Sequence, residues 1–251
     1  MTIFVLAAGE GTRLRPLTDE KPKCLVAVEN KPILNWQIDT FNSLGFNEIN
    51  VITGYKAACI DDPRINKVNN PRYQSTNMVY SLFCAEDLFP DNDDIIISYG
   101  DIVFEKSVIE KLILAKSDIA LVIDKNWKQY WASRMDEPLS DLETLKITGT
   151  DKIIEIGKKP KKFDDIQGQY VGLIKVRANK IRDLFNAYKR MDKNKEYDGQ
   201  NFDKLFMTSF LQHLIENNWD VRAVFIENGW AEIDTPSDID VVSKFCRLGS
   251  L

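Results

Sequence analysis

The chain has 251 residues, of which 44% are hydrophobic and 28% charged, with a formal net charge of −5. That composition suits a globular α/β protein of one large domain, and the acidic balance argues against a general nucleic-acid surface. No apolar stretch approaches about 18 residues and no basic segment precedes the first apolar run, so neither a membrane span nor a secretory leader is expected. Four scattered cysteines without a C-x-x-C pair, and a single histidine, His213, argue against zinc and against histidine acid–base chemistry. A cytoplasmic protein with reduced thiols is the expectation.

The first strand is expected at Ile3-Phe4-Val5-Leu6-Ala7, an apolar run without polar alternation, as in a parallel strand buried on both faces. Ala8-Gly9-Glu10-Gly11-Thr12-Arg13-Leu14 follows at once. Its glycines let the backbone turn and approach a ligand closely, successive N–H groups form an anion-binding concavity, and Arg13 and Lys23 bring cations near. Neither G-x-x-x-x-G-K-[ST] nor a complete G-x-G-x-x-G is present. Ile33, Trp36, Ile38, Phe41 and Leu44 fall near helical spacing over 31–44, and Gly45 ends that helix. A strand over 48–53 closes a β-α-β unit and leaves Gly54 and Tyr55 at its carboxyl end, where open α/β sheets bind ligands.

A short strand at 67–68, a polar loop over 69–77 and a helix over 78–87 come next. The strand over 94–101 delivers Asp101 at its end, and a helix over 107–116 with a strand over 119–124 completes another crossover. Beyond Lys125 the texture changes to an aromatic-dense stretch over 126–134 and a polar one to Thr148. Strands are expected over 152–157, 169–176 and 221–226, and helices over 178–191 and 202–217. A last helix starts near Ser237, with Thr235 as N-cap and Pro236 in its first turn. Segments 160–166 and 192–201 read as loops, and Gly249-Ser250-Leu251 as a cloning remnant. The expected organisation is one domain over 1–251, with a nucleotide-binding half (1–124) and an acceptor-binding half (125–251).

The run Leu6-Ala7-Ala8-Gly9-Glu10-Gly11-Thr12-Arg13-Leu14-Arg15-Pro16-Leu17-Thr18, with Lys21-Pro22-Lys23-Cys24-Leu25-Val26 after it, resembles the N-terminal signature of the sugar-phosphate-type nucleotidyltransferases. The resemblance implies a Rossmann-like α/β fold, with a mainly parallel central sheet flanked by helices and a small acceptor-binding subdomain. It also implies transfer of a nucleoside monophosphate to a phosphorylated acceptor with loss of pyrophosphate. An ionised acceptor phosphate is its own nucleophile, so this chemistry needs charge neutralisation and in-line positioning rather than a general base. Carboxylates holding Mg²⁺ meet the first need. By resemblance Asp101 and Asp234 ligate that metal, Arg13 meets the β- and γ-phosphates, and Lys23 lies near the reacting phosphorus. The backbone from Leu6 through Thr12, with Gly54, Tyr55, Tyr99 and Gly100, then surrounds the nucleotide.

The chain departs from the sugar enzymes in two places. Their Q-P-x-P-x-G-L loop is replaced by Asn70-Pro71-Arg72-Tyr73-Gln74-Ser75-Thr76-Asn77-Met78-Val79-Tyr80-Ser81-Leu82, and their D-G-D by Tyr99-Gly100-Asp101. This pattern resembles the phosphocholine cytidylyltransferase branch, which places Thr76, Asn77 and Ser81 beside the base. Asn and Ser satisfy both edges of a cytosine without excluding other bases, and Thr76 or Asn77 also suits the N-cap of the following helix. For the acceptor, Asp124, Trp127, Tyr130 and Trp131 suggest a cation–π site for an ammonium, while Arg134 suggests a carboxylate or phosphate. A phosphorylated amino acid such as phosphoglutamine would use both; the plainer reading is an aromatic cluster packing a subdomain. Lys159 stands where sugar enzymes contact the acceptor phosphate, although Lys158 replaces their glutamate, and Gln169 and Tyr170 resemble the segment lining that site. The expected partners are CTP and a small phosphorylated acceptor, without nucleic acid or membrane, in a monomer or homodimer serving capsule or surface-polysaccharide modification. The alternatives are a sugar-1-phosphate nucleotidyltransferase using UTP, dTTP or GTP, and a silent nucleotide-binding regulator. Retention of Arg13, Lys23, Asp101 and Asp234 argues against silence.

Overall fold

Strand β1 (Thr2–Ala7) is buried along its whole length, and its residues alternate between two cores: Ile3, Val5 and Ala7 face one, Phe4 and Leu6 the other. The computed structural model describes residues 1–135 and 137–248; Asp136 and Gly249-Ser250-Leu251 lie outside the described residues. After β1 come β2 (Ala27–Val28) and β3 (Lys31–Pro32), an antiparallel pair, then α1 (Ile33–Ser43), β4 (Ile49–Thr53) and β5 (Asn66–Asn69). Helix α2 (Met78–Phe83) is shorter than expected and gives way to a 3-10 turn at Glu86–Leu88. Pro90 ends the 3-10 turn, since the residue before a proline avoids the helical region and Phe89 is extended.

Strand β6 (Ile95–Tyr99) precedes β7 (Ile102–Phe104), α3 (Lys106–Ile113) and β8 (Ile119–Asp124). The aromatic stretch folds as α4 (Trp127–Arg134), burying Trp127, Tyr130 and Trp131 on one face at i, i+3 and i+4. Strands β9 (Leu145–Thr148), β10 (Lys152–Ile156) and β11 (Gln169–Val176) follow, then α5 (Ile181–Arg190), α6 (Met207–Glu216), β12 (Val221–Ile226), β13 (Trp230–Glu232) and α7 (Pro236–Phe245). The helix expected over 202–217 is broken: Phe202–Lys204 forms a 3-10 turn, and Leu205 and Phe206 are extended before α6 begins. Thr235 caps α7 reciprocally with Asp238, and Pro236 opens its first turn, as anticipated.

Nine strands form one sheet in the order β5-β4-β1-β6-β11-β8-β12-β10-β9. The parallel expectation holds for β5-β4-β1-β6 and for β8-β12. Strand β11 runs antiparallel to both β6 and β8, and β10 is antiparallel to β12 and β9, so the sheet as a whole is mixed. The two halves of the chain are thus joined through a continuous sheet. Helices α1, α3, α4 and α7 pack on one face, and α2, α5 and α6 on the other. From β1 the chain winds outward to β4 and β5, then returns to place β6 on the other side of β1. That reversal makes the carboxyl ends of β1 and β6 a switch point where α/β sheets open a crevice. No described helix is long and apolar enough to cross a membrane.

Candidate active site

At the switch point three carboxylates converge from two segments. Asp101 follows β6 in the turn to β7, while Glu232 ends β13 and Asp234 lies two residues on, so a strand's period of two puts both on one side while Ile233 enters the core. Pairing of β13 with β7 sets Glu232 against Ile102, and the Ile233 N–H donates to the Asp101 carbonyl at 2.9 Å. These backbone bonds bring one oxygen from each of Asp101, Glu232 and Asp234 within 4.8 Å of one another.

Two cations lie across this cluster. Lys23 Nζ donates to Asp101 Oδ2 at 2.7 Å and also to Asp234 Oδ1, and Arg13 Nη2 donates to Asp234 Oδ2 at 2.8 Å. The Lys23 stem packs on Gly11, whose φ of 64° is left-handed and where an added Cβ would sit 2.8 Å from the lysine's own Cβ. Burial opposes the charge on Lys23, yet Asp101 and Asp234 hold its pKa above the usual value. Burial likewise opposes the Asp234 charge, but Lys23 and Arg13 pull its carboxyl down to about 2. Glu232 goes the other way: burial, then Asp234 and Asp101, push it up to about 8. Asp101 Oδ1 is buried and has no hydrogen-bond partner.

Behind the acids stands Arg134, only 2% exposed as a side chain. It donates to Asp238 through Nε at 2.8 Å and Nη2 at 3.1 Å, and to Glu232 through Nη1 at 3.0 Å. Asp238 Oδ2 in turn accepts the Asp234 and Thr235 N–H groups at 2.8 and 2.7 Å. This network fixes the turn that carries Asp234.

Two clefts meet at the cluster. One is lined by Leu6, Ala7, Ala8, Gly9, Lys23, Tyr73, Thr76, Asn77, Ser81, Gly100 and Asp101. The other is lined by Arg13, Tyr99, Trp131, Asp141, Glu143, Gln169, Tyr170, Thr208, Glu232 and Asp234. Residues 3–164 match the MobA-like NTP transferase domain. The chain belongs to that family. It is 42% identical to a CTP:phosphoglutamine cytidylyltransferase of Campylobacter jejuni, over 96% of this chain and 98% of that protein. Its fold is shared with the inositol-1-phosphate CTP transferase of T. maritima (TM-score 0.73, 18% identity, 97% and 95% of the two chains). It is shared also with the CTP:phosphocholine cytidylyltransferase of Streptococcus pneumoniae (TM-score 0.70, 21% identity, 97% of each chain).

For an NTP transferase of this kind, the structure gathers most of the residues singled out in the sequence. Leu6, Ala7, Ala8, Gly9, Lys23, Thr76, Asn77, Ser81 and Gly100 share the first cleft with Asp101. Glu10, Gly11, Thr12, Gly54 and Tyr55 are not among the residues lining either cleft. Tyr55 N–H donates to the Ala8 carbonyl at 3.0 Å and its hydroxyl to the Thr18 carbonyl at 3.1 Å. Tyr99 lines the second cleft instead of the first. Asn77 caps α2 by accepting from Met78 N–H at 2.8 Å and also lines the first cleft.

A residue without an assigned role in the sequence, Asn70, organises this loop. Fully buried, it donates to the Thr76 hydroxyl at 3.0 Å and the Ser81 hydroxyl at 2.9 Å, and accepts from Arg72 N–H at 2.9 Å.

The acceptor assignments divide. Trp131, Gln169 and Tyr170 line the second cleft. Asp124 does not: it is fully buried, and its carboxylate accepts from the Asn126 and Asn228 N–H groups and from Trp230 Nε1. Trp127 packs in the core beneath Phe163. Arg134 is engaged by Asp238 and Glu232, leaving it no free face for a substrate carboxylate. Lys159 is exposed and lines neither cleft. Sequence reasoning passed over Glu232, Glu143 and Thr208. Glu232 was legible from its i, i+2 spacing to Asp234; Glu143 and Thr208 meet only through tertiary packing, at 3.2 Å.

Proposed function

We propose that this chain is a Mg²⁺-dependent cytidylyltransferase. It transfers CMP from CTP to a small phosphorylated, amine-bearing acceptor of the phosphoglutamine or phosphocholine type and releases pyrophosphate. The observation that carries the reading is the carboxylate cluster at the junction of the two clefts, with Arg13 and Lys23 laid across it. The full-length relative supports CTP and the acceptor class. The acids suit a hard divalent ion such as Mg²⁺: the donors are all oxygen, and Asp101 Oδ1 is buried without a partner. Asp101, Asp234 and Glu232 would hold the ion, which supplies neutralisation of charge on the triphosphate.

The chain's own residues do the rest. The loop from Ala8 to Gly11 and the cations Arg13 and Lys23 hold the triphosphate, while Thr76, Asn77 and Ser81 bound the base. The acceptor phosphate, largely dianionic at neutral pH because its second pKa is about 6, attacks the α-phosphorus in line. The new P–O bond forms as the bond to the bridging oxygen breaks, and pyrophosphate departs with the electron pair. No general base is needed, in keeping with His213, which lies against Asn217 on α6 and lines neither cleft.

The reading extends to a cytoplasmic enzyme, monomer or homodimer, that prepares an activated group for capsule or surface-polysaccharide modification. The deciding experiment measures pyrophosphate release with four nucleoside triphosphates against phosphoglutamine, phosphocholine and sugar-1-phosphates. Turnover with CTP and an amine-bearing acceptor is expected. Turnover confined to a sugar phosphate overturns the reading.

A further inference from the structure

Four carboxylates line the second cleft, which the proposed reaction leaves for the acceptor, and three of them have cations. Asp234 is paired with Lys23 and Arg13, Glu232 with Arg134, and Asp141 lies 3.9 Å from Arg13. Glu143 is the exception. It is half-buried between β9 and the 3-10 turn at Pro138–Ser140 and accepts a hydrogen bond from Thr208 Oγ1 at 3.2 Å. The charges that act on it are those of Asp198 and Asp141, both acidic, and no described lysine or arginine pairs with it. Burial, followed by those like charges, raises its carboxyl above the ordinary range despite the Thr208 hydroxyl. A carboxylate held this way is costly to the empty protein and repels a phosphorylated ligand. It makes sense where the ligand brings a cation of its own.

A second observation points to a ligand in the same cleft. Trp131 lines it, is 3% exposed, and its Nε1–H has no hydrogen-bond partner. A neutral N–H suits an oxygen of a zwitterionic head better than a further cation would, because it leaves the charge balance unchanged. The residues that the sequence nominated for these two tasks, Asp124 and Arg134, are both occupied inside the fold.

We propose that Glu143, seated against Thr208, receives the ammonium of the phosphorylated acceptor, while Trp131 offers its N–H to an oxygen of the same head group. The inference rests on the cytidylyl-transfer reading and names the residue that sets its acceptor class.

The test compares phosphoglutamine with its analogue lacking only the α-amine, using CTP, Mg²⁺ and the whole chain as wild type, Glu143→Gln and Glu143→Asp. Wild type should favour the amine-bearing acceptor by about thirtyfold or more in kcat/KM, the scale of one desolvated charge pair. Glu143→Gln should lose that preference by losing only on the amine-bearing compound, and Glu143→Asp should recover part of it. CTP binding by calorimetry should be the same in all three proteins, which shows that the fold is intact. Equal losses on both acceptors, or an unchanged ratio in Glu143→Gln, overturn the role of Glu143 and leave the transfer reading standing. If wild type transfers CMP to neither compound but does so to phosphocholine, the pairing of Glu143 with an α-ammonium is overturned and the transfer reading stands. If it transfers CMP to none of the three, the transfer reading itself falls, and this inference with it. That failure is visible before any variant is made.

Discussion

At the scale of single residues, the chemistry is a matter of which charges are paired with which. Asp101 and Asp234 are each bonded to Lys23, so replacing either with asparagine removes one oxygen from the cluster and one partner from a lysine that keeps the other. Asp101→Asn and Asp234→Asn should each lower pyrophosphate release by about a thousandfold or more with circular dichroism unchanged, the scale of losing one preorganised electrostatic group. Near-wild-type turnover in both would remove the metal assignment. Glu232→Gln should lower apparent Mg²⁺ affinity, read by titrating the metal at saturating CTP, and an unshifted titration would exclude Glu232 from the site. How these residues could be seen in advance differs one by one. Arg13 and Lys23 stand in a long ordered motif, and Asp101 ends an apolar strand, so one local stretch identifies each. Glu143 has no such local mark: what distinguishes it is a missing counter-charge, a property of packing between distant segments.

At the scale of elements, two small devices hold the loops in register. Asn70 ties the Thr76 and Ser81 hydroxyls to one side chain, so Asn70→Ala leaves two hydroxyls and the Arg72 N–H without that partner. At about 1–3 kcal/mol per unsatisfied buried group, KM for the nucleotide should rise roughly tenfold or more while kcat changes little. A matching fall in kcat would place Asn70 in the transfer step itself. Arg134 links α4 to α7 and β13, so Arg134→Met strands the Asp238 and Glu232 carboxylates. Breaking a buried pair by removing one partner costs about 3–5 kcal/mol, which in a chain of this size lowers Tm by roughly 10 °C in differential scanning calorimetry. The aromatic stretch shows why sequence reading fell short here. The spacing of Trp127, Tyr130 and Trp131 marks a helix face, but nothing local says that Arg134 at its end turns inward to two acids 98 and 104 residues later. A solvent-facing guanidinium and a buried one look the same in sequence.

At the scale of the whole molecule, the parallel half of the sheet was legible because β1, β4 and β6 are short, buried, largely apolar runs, whereas the polar edge strand β5 shows in sequence only around Lys67 and Val68. The antiparallel insertion of β11 was not, since an apolar strand carries no sign of its direction. Acid stability also belongs to this scale. Asp94 and Asp238 both have depressed carboxyl pKa values: burial opposes the charge on each, and the Ala178 N–H with Lys175, or Arg134 for Asp238, outweighs it. A depressed folded pKa stabilises the fold above the unfolded value of 3.8 and ceases to do so as pH falls through the folded value. The melting temperature should therefore fall steeply below about pH 4, and Asp94→Asn should flatten that slope. An identical slope in the variant would assign acid lability elsewhere. The lysine bridge has one more consequence. Lys23 meets Asp101 across 78 positions and Asp234 across 211, and β12, an interior strand of the sheet, is among the last strands in the chain. The Asp101 contact is available once the first part of the chain is made, but the Asp234 contact must await nearly the whole of it. A nascent chain long enough to hold Arg13, Lys23 and Asp101 still lacks Glu232 and Asp234, so the three-carboxylate cluster is completed only with the final turn into α7.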